Sequence, residues 1–152
     1  MTRDRLFLLK PDFEDPAYPG QRFYCWHCAL LEGVLASFPL LQSKIDVERI
    51  AWPKPRQAVL DIVGVDNQSL PLLVLAADAP DELATGKFRG RGFVDGKDAI
   101  LSVLSKRHGI PRPHPQLGRS RAWKSPMEGD HQSCGSKRDA SDFVVGKKRS
   151  LQ

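Results

Sequence analysis

The stretch RFYCWHCALLEGVL, residues 22–35, sets two cysteines three positions apart at the front of an apolar helical pattern. The chain has three cysteines, and two of them are here. Behind Cys28, the side chains of Leu30, Leu31, Val34, Leu35 and Phe38 are predicted to share one stripe, which Pro39 ends. Gly33 inside the stripe is expected to permit close packing against a strand. Such a helix places Cys25 at or just before its first turn, where unpaired backbone N–H groups and the positive end of the dipole favour an anion. Cys28 then lies one turn further in. By itself a CxxC admits three readings: a redox couple, part of a metal site, or two small buried hydrophobes.

The segments around this helix predict alternating strands and helices. LFLLK, residues 6–10, is a short continuous apolar run, the pattern of a strand covered on both faces. PDFEDPAYPGQ, residues 11–21, gathers Pro, Gly and Asp and is predicted as a loop, with Asp12, Glu14 and Asp15 solvated. Residues 44–52 place Ile45, Val47 and Ile50 for a second strand, and Gly64 stops a short helix over RQAVLDIV. SLPLLVLA, residues 69–76, is predicted as a third buried strand, which Pro71 can open but could not interrupt. KFRGRGFV, residues 87–94, predicts a turn at Gly90–Gly92 leading into a fourth strand. Asp95 is then expected to cap a last helix whose Ile100, Leu101 and Leu104 face inward and which Gly109 closes.

Charge separates this body from the C-terminal stretch of the chain. Residues 1–114 hold 15 Lys and Arg against 14 Asp and Glu, while residues 115–152 hold 8 against 4. The expected division is a folded domain over 1–114 and a basic, disordered tail over 115–152, where apolar periodicity stops. A body charge this small argues against nucleic-acid binding, although Arg89 and Arg91 lie between Phe88 and Phe93; a hairpin with a charged solvent side explains the same letters. No apolar run approaches the roughly 20 residues that span a bilayer. The start of the chain lacks a signal peptide's apolar region and cleavage site, so the expected location is the cytoplasm, where thiols stay reduced.

The order strand, helix, strand, helix, strand, strand, helix, with CWHC opening the first helix and Leu70-Pro71 opening the third strand, resembles the thioredoxin-like superfamily in its minimal, glutaredoxin-type form. Over about residues 4–110 the resemblance implies an α/β fold of βαβαββα order, a four-stranded mixed sheet with helices on both faces. More narrowly, RLFLLKPDFEDPAYPGQRFYCWHCALLEGVLASFP and NQSLPLLVLA look like a bacterial family known only as domain of unknown function number 3088.

The superfamily resemblance implies roles for particular residues. Cys25 would attack a disulfide as the thiolate and Cys28 would resolve the mixed disulfide. His27 makes the motif similar to those of the more oxidising thioredoxin-fold proteins, where an imidazole favours the charged sulfur; exposed polar filler is the plainer alternative. Trp26 stands where those proteins carry Pro or Gly, and would shield the thiolate, lengthen a substrate groove or pack on the loop. The Leu70-Pro71 peptide would be cis, face the cysteines and offer its backbone to a substrate. Gly96, Lys97 and Asp98 correspond to the helix start that grips the γ-glutamyl end of glutathione in glutaredoxin-type domains, although an ordinary helix cap accounts for the same letters. Lys10 resembles a glutathione-binding lysine, here separated from Cys25 by a long insertion.

The expected function is therefore thiol–disulfide exchange with a protein or small-molecule thiol, without a resident cofactor and with glutathione as a candidate co-substrate. Two alternatives stay open. One is a redox-inert binding module using the same groove. The other is metal binding through the cysteines, for which His108, His114, His131 and Cys134 are the remaining donors, none of them in a second tight pair.

Overall fold

A computed structural model describes residues 2–114, and the tail predicted over 115–152 lies outside the described residues. Strand β1 (Arg5–Leu9) explains its own unbroken apolar run. Leu6 and Leu8 are wholly buried on one face and Phe7 on the other, so neither face meets water. On the Leu6 side pack helix α1 (Trp26–Ser37), through Leu31 and Leu35, and helix α4 (Lys97–His108), through Ile100 and Leu104. On the Phe7 side packs α3 (Gln57–Val63), through Val59 and Val63. A short α2 (Pro39–Gln42) follows α1 directly and buries Leu41.

The chain is thus a mixed α/β fold with four α-helices among the described residues and a five-stranded mixed sheet. Its remaining strands are β4 (Asp46–Ile50), β5 (Leu72–Val74), β6 (Gly86–Phe88) and β7 (Arg91–Asp95), in the order β4-β1-β5-β7-β6. Strand β4 runs parallel to β1 after the α1 crossover, and every other pairing is antiparallel. The edge strand β4 is charged, and Arg5 lies 3.8 Å from Glu48 across the β1–β4 pair.

Five strands replace the expected four because the turn falls earlier than Gly90–Gly92. Arg89 (φ 50) and Gly90 (φ 76) both take positive φ, as the central pair of a tight hairpin turn must, which frees Gly86–Phe88 to pair with β7. The Arg89 guanidinium rests over the Phe88 ring at 5.2 Å. The expected loop 11–21 is also partly ordered. Strand β2 (Phe13–Glu14) lies inside it and pairs with β3 (Arg22–Phe23) just beyond it, and Arg22 bridges Asp12 at 2.6 Å and Glu14 at 3.2 Å. Asp12 and Glu14 are therefore ion-paired across the ribbon.

Smaller departures have local causes. Leu30 is 41% exposed, because the buried stripe of α1 runs through Cys28, Leu31 and Leu35 and turns Leu30 outward. Gly33 is exposed, and a Cβ there would meet nothing within 4 Å, so it grants no close packing. Asp95 does not cap α4. Its carboxylate accepts the Thr85 hydroxyl at 2.6 Å, and Gly96 (φ 81) takes the cap position. Gly109, in the left-handed conformation, closes α4 as expected.

At the N-terminal end of β1, Asp4 is buried with its side chain fully covered. Its carboxylate accepts the Ala76 N–H at 2.8 Å, Arg107 Nε at 2.8 Å and lies 2.7 Å from His108 Nε2. Burial alone raises the Asp4 carboxyl, but the bonds from His108, Ala76 and Arg107 and the Arg107 charge outweigh it and hold the group below its usual value. A carboxylate so depressed stabilises the fold fully above about 3.9, its unfolded value, and loses that contribution as pH falls through the folded one. Asp4→Asn is expected to cost about 2 kcal/mol at neutral pH, because it replaces the buried charged acceptor shared by Arg107, His108 and the Ala76 N–H with a neutral one. Urea unfolding of both proteins should show this gap closing in acid; a gap of equal width at every pH would contradict the assignment.

Candidate functional site

The three-residue spacing of the cysteines is a capping geometry. Cys25 takes the N-cap position of α1 with an extended backbone (φ −80, ψ 112), and its Sγ accepts the N–H of Cys28 at 3.4 Å. An N-cap side chain satisfies one of the unpaired donors of the first turn, here with sulfur instead of the usual oxygen. Cys25 is half-buried and Cys28 is only 2% exposed. Both are free thiols.

Cys28 Sγ in turn accepts the N–H of Leu9 at 3.3 Å. The sheet register supplies that donor. Strand β5 pairs with β1 only as far as Phe7, opposite Leu72, so past that point the β5-facing edge of β1 is open. The chain ahead of Leu72 is the Leu70-Pro71 peptide, which is cis, with Pro71 buried. Leu72 also faces Asp95 of β7, so Gly96, Lys97 and Asp98 emerge at the same end of the sheet. One end of the sheet thereby holds the front of α1, the cis-proline peptide and the front of α4.

Contacts between these elements are specific. Lys97 Nζ lies 5.6 Å from the Trp26 ring centroid and 2.7 Å from Asp98 Oδ2. Trp26 is 59% exposed, and its ring sits 3.8 Å from that of His27. The His27 ring is therefore engaged with Trp26.

Both cysteines open on a groove of about 460 Å³ with mostly apolar walls, including Leu9, Pro11, Tyr24 and Ala29. At its rim Arg49 holds Glu32 through two hydrogen bonds of 2.6 and 2.8 Å. The predicted loop accounts for part of this wall. Phe13 of β2 stacks on Trp52 at 5.6 Å, and Phe13, Trp52 and Leu70 pack on the same core cluster as Cys25.

Three participants escaped sequence reasoning. The Leu9 amide carries no side-chain signal, and the Glu32–Arg49 pair joins a helix to a strand, so neither was legible from local pattern. The third is Arg56, in front of α3 and after a second cis peptide, Lys54-Pro55. Burial lowers its own basicity, and Cys28 and Cys25 offset part of that fall. Nothing in the local pattern of RQAVLDIV, which this arginine opens, sets it apart.

Among the metal donors weighed from the sequence, His108 is bound to Asp4 at the opposite end of β1, while His131 and Cys134 lie outside the described residues. Among the described residues no group of three or more His, Cys, Asp or Glu is placed to hold a metal ion. No helix among them is long and apolar enough to cross a membrane.

Residues 3–112 match the model of the family described as "Protein of unknown function (DUF3088)". The chain belongs to that family. No curated protein and no solved structure matches it.

The two cysteines of this DUF3088 domain are chemically unequal. Burial pushes the Cys28 thiol up to about 12, the neighbouring Cys25 sulfur and Glu32 add to the rise, and the Leu9 N–H offsets part of it. Cys28 is thus a protonated thiol at neutral pH, while Cys25 presents its sulfur at the helix front. Brief iodoacetamide treatment of the native protein should modify Cys25 and spare Cys28, with Cys28 labelled only after denaturation. Peptide mass spectrometry reads the two sites separately, and equal labelling in the native state would contradict the asymmetry.

Proposed function

We propose that this protein is a thiol–disulfide oxidoreductase with a thioredoxin-like architecture, in which Cys25 is the nucleophile and Cys28 the resolving thiol. The observation that carries the proposal is the stacked arrangement of the two sulfurs. The outer one caps a helix and faces a groove, and the inner one lies buried directly behind it with a backbone donor in place. A structural pair of buried hydrophobes has no need of a half-exposed sulfur on a groove wall.

In the reducing direction Cys25 attacks one sulfur of a substrate disulfide. A bond forms between them, the substrate S–S bond breaks, and the first substrate thiolate departs. Once Cys25 is bonded, its negative charge no longer opposes ionisation of Cys28, while the Leu9 N–H still favours the Cys28 thiolate. Cys28 gives up its proton to the departing thiolate and attacks Cys25, releasing the second substrate thiol. The protein is left with a Cys25–Cys28 disulfide, two electrons have passed to the substrate, and the two thiol protons leave on its products. The reverse sequence oxidises a dithiol.

Around this centre the cis Leu70-Pro71 peptide would receive an extended substrate backbone, and Trp26 would border it. His27, through its packing on Trp26, would help to orient that ring and to favour the charged sulfur. Gly96, Lys97 and Asp98 stand beside Trp26, where they would meet a carboxylate-bearing thiol such as glutathione. No resident cofactor enters the scheme, and cytoplasmic thiols would supply or accept the electrons.

The assay is reduction of a small aromatic disulfide by the prereduced protein. Wild type should turn over with a dithiol as electron source, and Cys25→Ser should fall to background. Cys28→Ser should stop at a mixed disulfide on Cys25, visible as an intact-mass adduct that a dithiol removes. Full activity in Cys25→Ser, or no adduct in Cys28→Ser, would turn the assignment toward a redox-inert binding module.

A further inference from the structure

Thiol chemistry alone does not account for the groove beside the cysteines. Leu9, Pro11, Tyr24 and Ala29 wall it together with the two cysteines, and it holds about 460 Å³. Sites that take a compact, mostly apolar group have volumes of roughly 300–1,000 Å³. The charged side chains at its rim, Glu32 and Arg49, are closed on each other by bonds of 2.6 and 2.8 Å, so the groove offers no unpaired charge. A charged group placed there would lose water and gain no partner.

The groove has a definite place in the site. In the sheet order β4-β1-β5-β7-β6, Leu9 ends β1 and Arg49 belongs to β4, whereas the cis Leu70-Pro71 peptide enters β5. Cys25 therefore has two approaches, one on the β4 side of β1 and one on the β5 side. Exposed apolar surface gathers around this sulfur as well. Tyr18, Tyr24, Trp26 and Leu30 are all exposed within residues 18–30, Tyr24 by 64%. Tyr18 is braced edge-on against Phe23 of β3 at 5.6 Å. Aromatic side chains left in water around a groove have the composition of a surface that meets another polypeptide.

We infer that this groove is a specificity subsite for polypeptide disulfides: it receives a leucine- or phenylalanine-sized side chain next to the attacked cysteine, while the cis-proline side receives the substrate backbone. This rests on the exchange chemistry proposed above, whose bonds and electrons it leaves unchanged. Burying such a side chain against Leu9, Tyr24 and Ala29 holds the substrate sulfur at Cys25 and favours an apolar flank over a polar one of similar size. A glutamine in the same place would leave its amide without partners among apolar walls.

The test compares wild type with Ala29→Phe, which fills the groove, and Tyr24→Ser, which removes one wall; both positions are exposed. Alkylation of Cys25 by iodoacetamide and by its N-benzyl derivative is followed by peptide mass spectrometry, each rate divided by that of a free cysteine. In wild type the benzyl arm should raise the corrected rate on the order of tenfold, as partial burial of one apolar group does. This preference should vanish in Ala29→Phe and shrink in Tyr24→Ser. Two neutral cystine peptides, one with leucine and one with glutamine beside the cysteine, are then reduced by the prereduced protein. The leucine peptide should react about tenfold faster in wild type, and the two rates should converge in Ala29→Phe. A benzyl arm without effect, or peptides reduced at one rate, overturns the inference. So does a preference that both variants leave intact. Circular dichroism identifies a variant that fails to fold, and the other then carries the comparison. Reduction of both peptides at one rate leaves the oxidoreductase proposal standing without the subsite, whereas reduction of neither removes both.

Discussion

The hydrogen bond from the Leu9 amide to the Cys28 sulfur joins the candidate site to the centre of the fold. Leu9 ends a strand that both core clusters cover, and its amide is available only because β5 stops pairing at Phe7. The sulfur fills the position that a further strand residue would have taken. Cys28 is thereby fixed in depth and direction, and its own N–H fixes the sulfur of Cys25 above it. The site inherits the rigidity of a buried strand rather than the freedom of a surface loop.

Sheet topology does the rest of the assembly. Because β5 opposes both β1 and β7, the segments entering β5 and leaving β7 meet at the end where β1 finishes. The cis Leu70-Pro71 peptide and the start of α4 are brought there by the strand pairing. At the other end of β1, Asp4 clamps Arg107, His108 and the Ala76 amide, so the last turn of α4 and the loop after β5 are tied together away from the groove.

Much of this was legible in the sequence. The unbroken apolar run of β1, the capping position of Cys25, the closure of α4 at Gly109 and the proline in front of β5 each follow from local rules, and the structure carries all four. The departures come from contacts that local rules do not contain. The short β2–β3 ribbon depends on Arg22 reaching back to Asp12 and Glu14, and β6 depends on a non-glycine residue, Arg89, adopting positive φ. At the site itself the same division holds. The two cysteines were evident from spacing, whereas the Leu9 amide and the Glu32–Arg49 pair come to them only through the fold.

The central claim is that the half-exposed sulfur and the buried one behind it interconvert between dithiol and disulfide within the folded chain. Equilibrating the native protein against a graded series of oxidised and reduced dithiol, followed by acid quenching and intact mass, measures this directly. The account predicts a reversible loss of two hydrogen atoms, mapped to a Cys25–Cys28 bond, with a single midpoint across the series. A protein that stays reduced at every ratio, or that forms only adducts on Cys25 and never closes onto Cys28, would contradict it.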